Sequence, residues 1–163
     1  MLKSKVSAKI DSKALRTVAS AFATGITVIT VEQQNIIYGM TANSFVSISL
    51  DPAIVMFSVR NEAQILSAIS IEKAIGINIL KDSQKDLSEH FAGITSNQVK
   101  PIYQDINGTK ILEDSLAYYC CTVRDMIECG DHKMILCNVI DCQRNEGNPL
   151  LYYSGYATIG DLK

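Results

Sequence analysis

The chain has 163 residues, 47% of them apolar and 20% charged, the composition of a folded protein with room for one sizeable core; it excludes a disordered chain. Fifteen Lys and Arg stand against seventeen Asp and Glu, so the basic footprint of a nucleic-acid or anionic-membrane binder is missing. No apolar run is long enough to span a bilayer, and Met1-Leu2-Lys3-Ser4-Lys5 leads into polar residues rather than a signal-peptide core, so a cytoplasmic single domain over 1–163, with its core from 11 to 160, is expected.

Asp11 to Ala23 reads as a first helix, with Asp11 as its cap and Leu15, Val18, Ala19 and Phe22 at helical spacing. Gly25 breaks the pattern, and Ile26 to Val31 is a β-rich run. The polar patch Glu32-Gln33-Gln34-Asn35 predicts a hairpin turn leading back through Ile36, Ile37 and Tyr38. Next comes the most informative stretch of the chain, Gly39-Met40-Thr41-Ala42-Asn43-Ser44-Phe45-Val46-Ser47-Ile48-Ser49-Leu50-Asp51-Pro52. It sets small hydroxyl and amide residues in what reads as a buried strand and the turn after it. A stretch built only to fill a core would carry Val, Ile and Leu there, because each buried polar group needs a hydrogen-bond partner. A polar ligand lying against this stretch would supply those partners.

Ala53 to Val59 follows as a compact apolar strand. Asn61 and Gln64 have capping-box spacing and open a short helix through Ile65, Leu66 and Ile69. Ala74 to Leu80 is another strand, and Ser83 with Asp86 caps a helix from Gln84 to Phe91. Gly93 to Gly108 reads as loop, with Pro101 and Asn107-Gly108 as breakers. The last third is β in character: Leu116 to Ile127, Lys133 to Gln143 and Leu150 to Ile159, with turns at Gly130-Asp131 and Asn145-Glu146-Gly147-Asn148. About six strands with three short helices and no βαβ rhythm predict an antiparallel barrel or sandwich.

Familiar catalytic motifs are scarce. There is no P-loop, no G-x-G-x-x-G after a strand, no H-E-x-x-H and no G-x-S-x-G. Two histidines and five cysteines without a C-x-x-C give no metal site, and the odd cysteine count argues against a disulfide framework. Cys120 and Cys121, adjacent in a strand, point to opposite faces as buried structural thiols. His90 ends a helix, where a solvated or dipole-satisfying role is the default. His132 follows Gly130-Asp131 at the lip of a hairpin, where a side chain can project into a cleft or simply belong to the turn. Ser58-Val59-Arg60-Asn61 ends a strand and enters a helix, so free N–H groups and the Arg60 guanidinium can converge on an anion such as a phosphate.

Together these residues resemble the flavin reductase family, from about Leu15 to Ile159. The resemblance is carried by Phe22-Ala23-Thr24-Gly25-Ile26-Thr27-Val28-Ile29-Thr30, by the Gly39 to Pro52 stretch, by Leu87-Ser88-Glu89-His90-Phe91-Ala92-Gly93, by Gly130-Asp131-His132, and by Pro149-Leu150-Leu151-Tyr152-Tyr153-Ser154-Gly155-Tyr156. It implies a mainly-β protein with short helices, the Greek-key antiparallel FMN-binding split barrel, assembled as a homodimer. By resemblance, Thr41, Ala42, Asn43 and Ser44 lie along the isoalloxazine and ribityl of FMN (or FAD), and Ser58, Arg60, Asn61 and Gln64 hold the phosphate. Phe91 and Ala92 flank the flavin, while His132, with Tyr153 or Tyr156, borders the nicotinamide pocket. His132 then has a positioning and electrostatic role, and no metal is required. The implied reaction is hydride transfer from NADH or NADPH to the flavin, with reduced flavin passed to a partner monooxygenase. The alternative is an electron carrier of the same fold that holds FMN without nicotinamide turnover; a non-catalytic barrel for another small ligand is a third reading.

Overall fold

Hairpins organise this chain. The computed structural model describes residues 10–94 and 99–162; the polar start Met1 to Lys5, and part of the stretch expected to be loop between Gly93 and Gly108, lie outside the described residues. Helix α1 spans Ser12–Ala19 and is followed by strands β1 (Thr24–Gly25), β2 (Thr27–Gln33), β3 (Ile36–Ala42), β4 (Val46–Leu50) and β5 (Ala53–Arg60). After a 3-10 turn at Gln64–Ala68 come β6 (Ala74–Ile79), helix α2 (Lys85–Phe91), β7 (Tyr103–Ile106) and β8 (Thr109–Leu112). The long strands β9 (Ala117–Cys129) and β10 (His132–Arg144) and the short pair β11 (Leu151–Tyr152) and β12 (Tyr156–Ala157) complete the order.

Seven strands form one antiparallel sheet in the order β3-β2-β6-β9-β10-β5-β4, flanked by the smaller sets β1-β11-β12 and β7-β8. Strand β6 enters between β2 and β9, and β10 lies between β9 and β5, which gives the crossing of a Greek key. The β2–β3 turn works because Gln34 and Asn35 both adopt left-handed φ, 52° and 62°, the sense that matches strand twist. Asn107 and Gly108, at 52° and 76°, do the same for β7–β8.

Strand β2 is buried on both faces. Ile29 and Val31 face the main core with Phe57, Ile75, Ile77 and Ile135, while Val28 joins Ile26, Leu80, Leu112 and Leu150 on the other side. Emptying the Phe57 site would cost about 3–5 kcal/mol, since that ring is fully buried. Asn78, also fully buried, donates through Nδ2 to the Val28 carbonyl at 2.8 Å and accepts through Oδ1 from Leu112 N–H at 2.8 Å. Thr30 Oγ1 donates to the Lys110 carbonyl nearby. These side chains tie the β7–β8 hairpin to the barrel. Cys120 and Cys121 point to opposite faces, as expected, each into a different core cluster.

Several sequence expectations are corrected. The first helix stops at Ala19, with Ser20 as its cap, and none of its residues is buried. Asn61 and Gln64 form no capping box: Ala63 is the N-cap of the 3-10 turn, and Asn61 donates to the Gly130 carbonyl instead. Ser83 does not cap the second helix; the chain enters through a 3-10 turn at Asp82–Gln84, and Gln84 Oε1 accepts from Lys81 N–H at 3.0 Å. Asn107-Gly108 is a hairpin turn rather than a breaker, so β7 occupies part of the expected loop. Leu150 to Ile159 splits into two strands because Ser154 and Gly155 turn through positive φ. Strand β4 lies at a sheet edge, half-buried to exposed, so the polar stretch is not a buried strand. Of the cysteines, Cys129 and Cys142 are exposed.

Candidate active site

The end of β3, the link to β4 and the end of β5 meet at one open end of the main sheet. Ser44 makes the joint: its Oγ accepts from Ser58 N–H at 3.0 Å and lies 3.3 Å from the Ser58 carbonyl. Thr41 Oγ1 donates to the Ser88 carbonyl at 2.6 Å, docking α2 against β3. These two hydroxyls therefore find their partners inside the chain. The Asn43 amide and the Arg60 guanidinium have no protein partner among the described residues and border open space. Thr24 Oγ1, buried and also without a partner, borders a small cavity that Asn43 shares.

Two clefts open from this joint. The first, of about 500 Å³, is lined by Met40, Thr41, Ala42, Asn43, Ser44, Ser58, Arg60, Ala63, Phe91, Ala92 and His132. Nine of the residues expected at the site thus converge on one cavity of ligand size. The second, of about 460 Å³, shares Thr41, Ala42, Asn43, Arg60 and Ala92 with it and adds Arg16, Ser88, Tyr152 and Tyr156. Asn61 and Gln64 fall instead in a third, neighbouring cleft beyond Ala63, together with Tyr38, Glu62 and Ser67. Tyr153 is half-exposed and lines none of these three clefts. Tyr156 borders the second, its hydroxyl 3.0 Å from Ser88 Oγ, with Lys85 Nζ 5.4 Å from its ring centre.

His132 opens β10 directly opposite Arg60 on β5, which puts both side chains on the same sheet face. Its Nδ1 lies 2.7 Å from Asp131 Oδ1. An ionised carboxylate only accepts, so Nδ1 carries the proton and Nε2 is left for a ligand. The same hydrogen bond, with the ring's charge behind it, holds the Asp131 carboxyl below the usual carboxylate range. His90, in the last turn of α2, is half-buried with its ring edge-on to Phe91 at 4.9 Å.

Sequence reading missed Gly39, Arg16, Ala63 and Ser88. A Cβ at position 39 would overlap the Phe91 ring, so only glycine lets α2 bring that ring to the cleft wall. Arg16 reads in sequence as an ordinary basic residue near a helix end. Gly39 alone left a signal, as a glycine inside a strand, which marks a close approach.

A Greek-key antiparallel β protein with one composite cleft at a sheet end is thus defined, of the split-barrel class. The chain belongs to the flavin reductase-like family: the model of the flavin reductase like domain matches residues 19–160. It is 34% identical over 144 residues to an NADH-dependent flavin reductase of a Rhodococcus species, covering 86% of this chain and 82% of that one. It is 33% identical over 158 residues to the NADH-dependent flavin reductase StyB of Pseudomonas fluorescens, covering 94% and 92%. Among solved structures, flavin reductase PheA2 superposes with a TM-score of 0.89 at 37% identity, over 92% of this chain and 99% of that one.

Proposed function

We infer that this chain is an NADH-dependent flavin reductase that transfers a hydride from the nicotinamide to FMN or FAD. The observation that carries the reading is the convergence of Thr41 to Ser44, Ser58, Arg60, Phe91 and His132 on one cavity. The donor set fits a flavin. An unpaired guanidinium and the Ser58 hydroxyl suit a phosphate, the Asn43 amide suits the polar ring edge, and Phe91 and Ala92 offer apolar cover. When bound, the flavin supplies the two-electron acceptor for the hydride.

The chain's own residues bind and orient. Ser44, locked to the Ser58 backbone, keeps the β3–β4 link at a fixed distance from β5, so Asn43 and Arg60 span a constant gap. Ala42 and Asn43 run along the ring, Thr41 acts by docking α2, and Arg60 with Ser58 holds the phosphate. Asn61 and Gln64 line the neighbouring cleft across Ala63, where they would meet the part of FAD that extends beyond its first phosphate; FMN, which ends at its phosphate, would not reach them. His132, oriented by Asp131, presents Nε2 to the carboxamide side of the donor from the first cleft, and Tyr156 borders the donor from the second; Tyr153, outside both clefts, is left without a role in holding it. Phe91 and the backbone of β3 exclude water from the ring face. Holding two rings in register supplies most of the acceleration, so no general base is assigned.

Relatives named as reductase subunits or components of monooxygenases, such as HsaB of Mycobacterium tuberculosis, support a two-component system in which this chain passes reduced flavin to an oxygenase. A cytoplasmic homodimer completes the proposal: edge strand β4 exposes Val46, Ile48 and Leu50, apolar surface that a second copy would cover. No helix among the described residues is long and apolar enough to cross a membrane. The test is nicotinamide absorbance on mixing the protein with NADH and free FMN or FAD. Oxidation that rises with added flavin supports the reductase. A tightly yellow protein that leaves NADH untouched would make it a carrier.

A further inference from the structure

The second cleft carries a charge that the flavin does not use. Its walls hold Arg16 and Arg60, and no carboxylate among the described residues lines it. Arg16 makes no ion pair among the described residues, and the helix that bears it has no buried side chain. A basic residue in the last turn of a helix does complement the helix dipole. The dipole gives no reason, however, for that residue to sit over a cavity beside another unpaired guanidinium. Two like charges at one cavity repel unless an anion lies between them, and a guanidinium is built to grip phosphate oxygens by paired N–H groups.

Resting on the flavin reductase reading, we propose that Arg16 binds the pyrophosphate of the nicotinamide dinucleotide in the second cleft. The two clefts share Thr41 to Asn43, Arg60 and Ala92, so a donor whose nicotinamide meets the flavin in the first has its remaining length beside the second. Arg60 stands on the boundary and serves the flavin phosphate; Arg16 supplies the second cation that a second phosphorylated ligand needs. Tyr152 and Tyr156, edge to face at 6.3 Å between ring centres, form the apolar wall opposite. Lys85, its ammonium 3.6 Å from Glu89, adds no free cation there.

The experiment compares NADH with 1-benzyl-1,4-dihydronicotinamide, a hydride donor with the same reacting ring and no phosphate. For Arg16→Gln, the ratio of kcat/KM for NADH to that for the benzyl donor should fall about tenfold, the loss lying in the KM for NADH. Arg16→Lys should recover part of it, because the charge returns without the fork. An unchanged ratio overturns the proposal, as does an equal loss with both donors, which would move Arg16 to the flavin or the fold. A loss confined to NADPH would assign Arg16 to a 2′-phosphate, and a loss confined to FAD over FMN to the flavin's own pyrophosphate; either result overturns it. Failure of the wild-type protein to oxidise both donors with flavin would instead remove the function on which the proposal rests.

Discussion

At the scale of single residues, the site works through side chains whose partners are already chosen. The Asp131 carboxyl is held below its ordinary range by its hydrogen bond with His132. A carboxyl whose folded pKa is lowered contributes fully above its ordinary value, and the contribution is lost as pH falls through the lowered one. Orientation of His132 by Asp131 should therefore persist throughout the neutral range and fail only in acid, below the ordinary carboxylate range. Asp131→Asn should raise the KM for NADH about threefold at neutral pH, a modest effect because the pair is solvent-exposed, with flavin affinity unchanged. Steady-state kinetics from pH 5 to 8, with the variant and wild type in parallel, check this. A variant with a wild-type KM would leave His132 unoriented by its neighbour. Gly39 makes the opposite kind of contribution, by having no side chain. Gly39→Ala should weaken flavin binding about tenfold and cost about 1–3 kcal/mol of stability, because the Phe91 ring must move. Combining it with Phe91→Ala should remove most of the added stability cost, which denaturant unfolding of all four cycle members would read. Additive losses would mean that Phe91 and position 39 do not compete for space.

At the scale of elements, the β7–β8 hairpin is held by a handful of buried hydrogen bonds as well as by Ile111 and Leu112, which are fully buried in two core clusters. Asn78 satisfies groups on β2 and β8 at once, and Thr30 reaches the backbone of Lys110. Asn78→Ala strands the Leu112 N–H and the Val28 carbonyl, so it should cost about 2–4 kcal/mol in urea unfolding. A loss below half a kcal/mol would show that the hairpin is held elsewhere. Much of this level was legible in the sequence. β-rich apolar runs and turn chemistry locate β2, β3, β5, β6, β9 and β10, because Gln34-Asn35 and Gly130-Asp131 announce tight turns by local physics. Asn107-Gly108 carries the same signal, but at the end of the polar stretch from Gly93 it reads as a breaker and hides β7. The two supposed capping boxes failed for another reason: spacing alone does not say which backbone group a side chain will meet. Asn61 met Gly130, a residue 69 positions away. The site was legible where polar residues sit on strands, as in Asn43 and Ser58. Arg16 was not, because the cleft it borders is made by β3, β5 and β11 coming from elsewhere in the chain.

At the scale of the whole molecule, the small sets β1-β11-β12 and β7-β8 cap a single seven-stranded sheet, and the clefts lie where α2, β3 and β5 leave its end uncovered. The polar groups that suggest a ligand from sequence serve two purposes. Thr41 and Ser44 hold the frame, while Asn43 and Arg60 stay unpartnered at the opening. Apart from Thr24 Oγ1, the buried side-chain polar groups among the described residues find partners within the chain, and free donors remain for the cavity. The measurement that tests this most directly is a titration of the protein with FMN and with riboflavin, followed by flavin fluorescence, for wild type and Arg60→Ala. Both flavins should bind the wild-type protein, FMN more tightly, and the variant should lose FMN affinity about tenfold or more while riboflavin affinity holds. A protein that leaves the fluorescence of both flavins unchanged, or a variant that weakens both alike, would contradict the account.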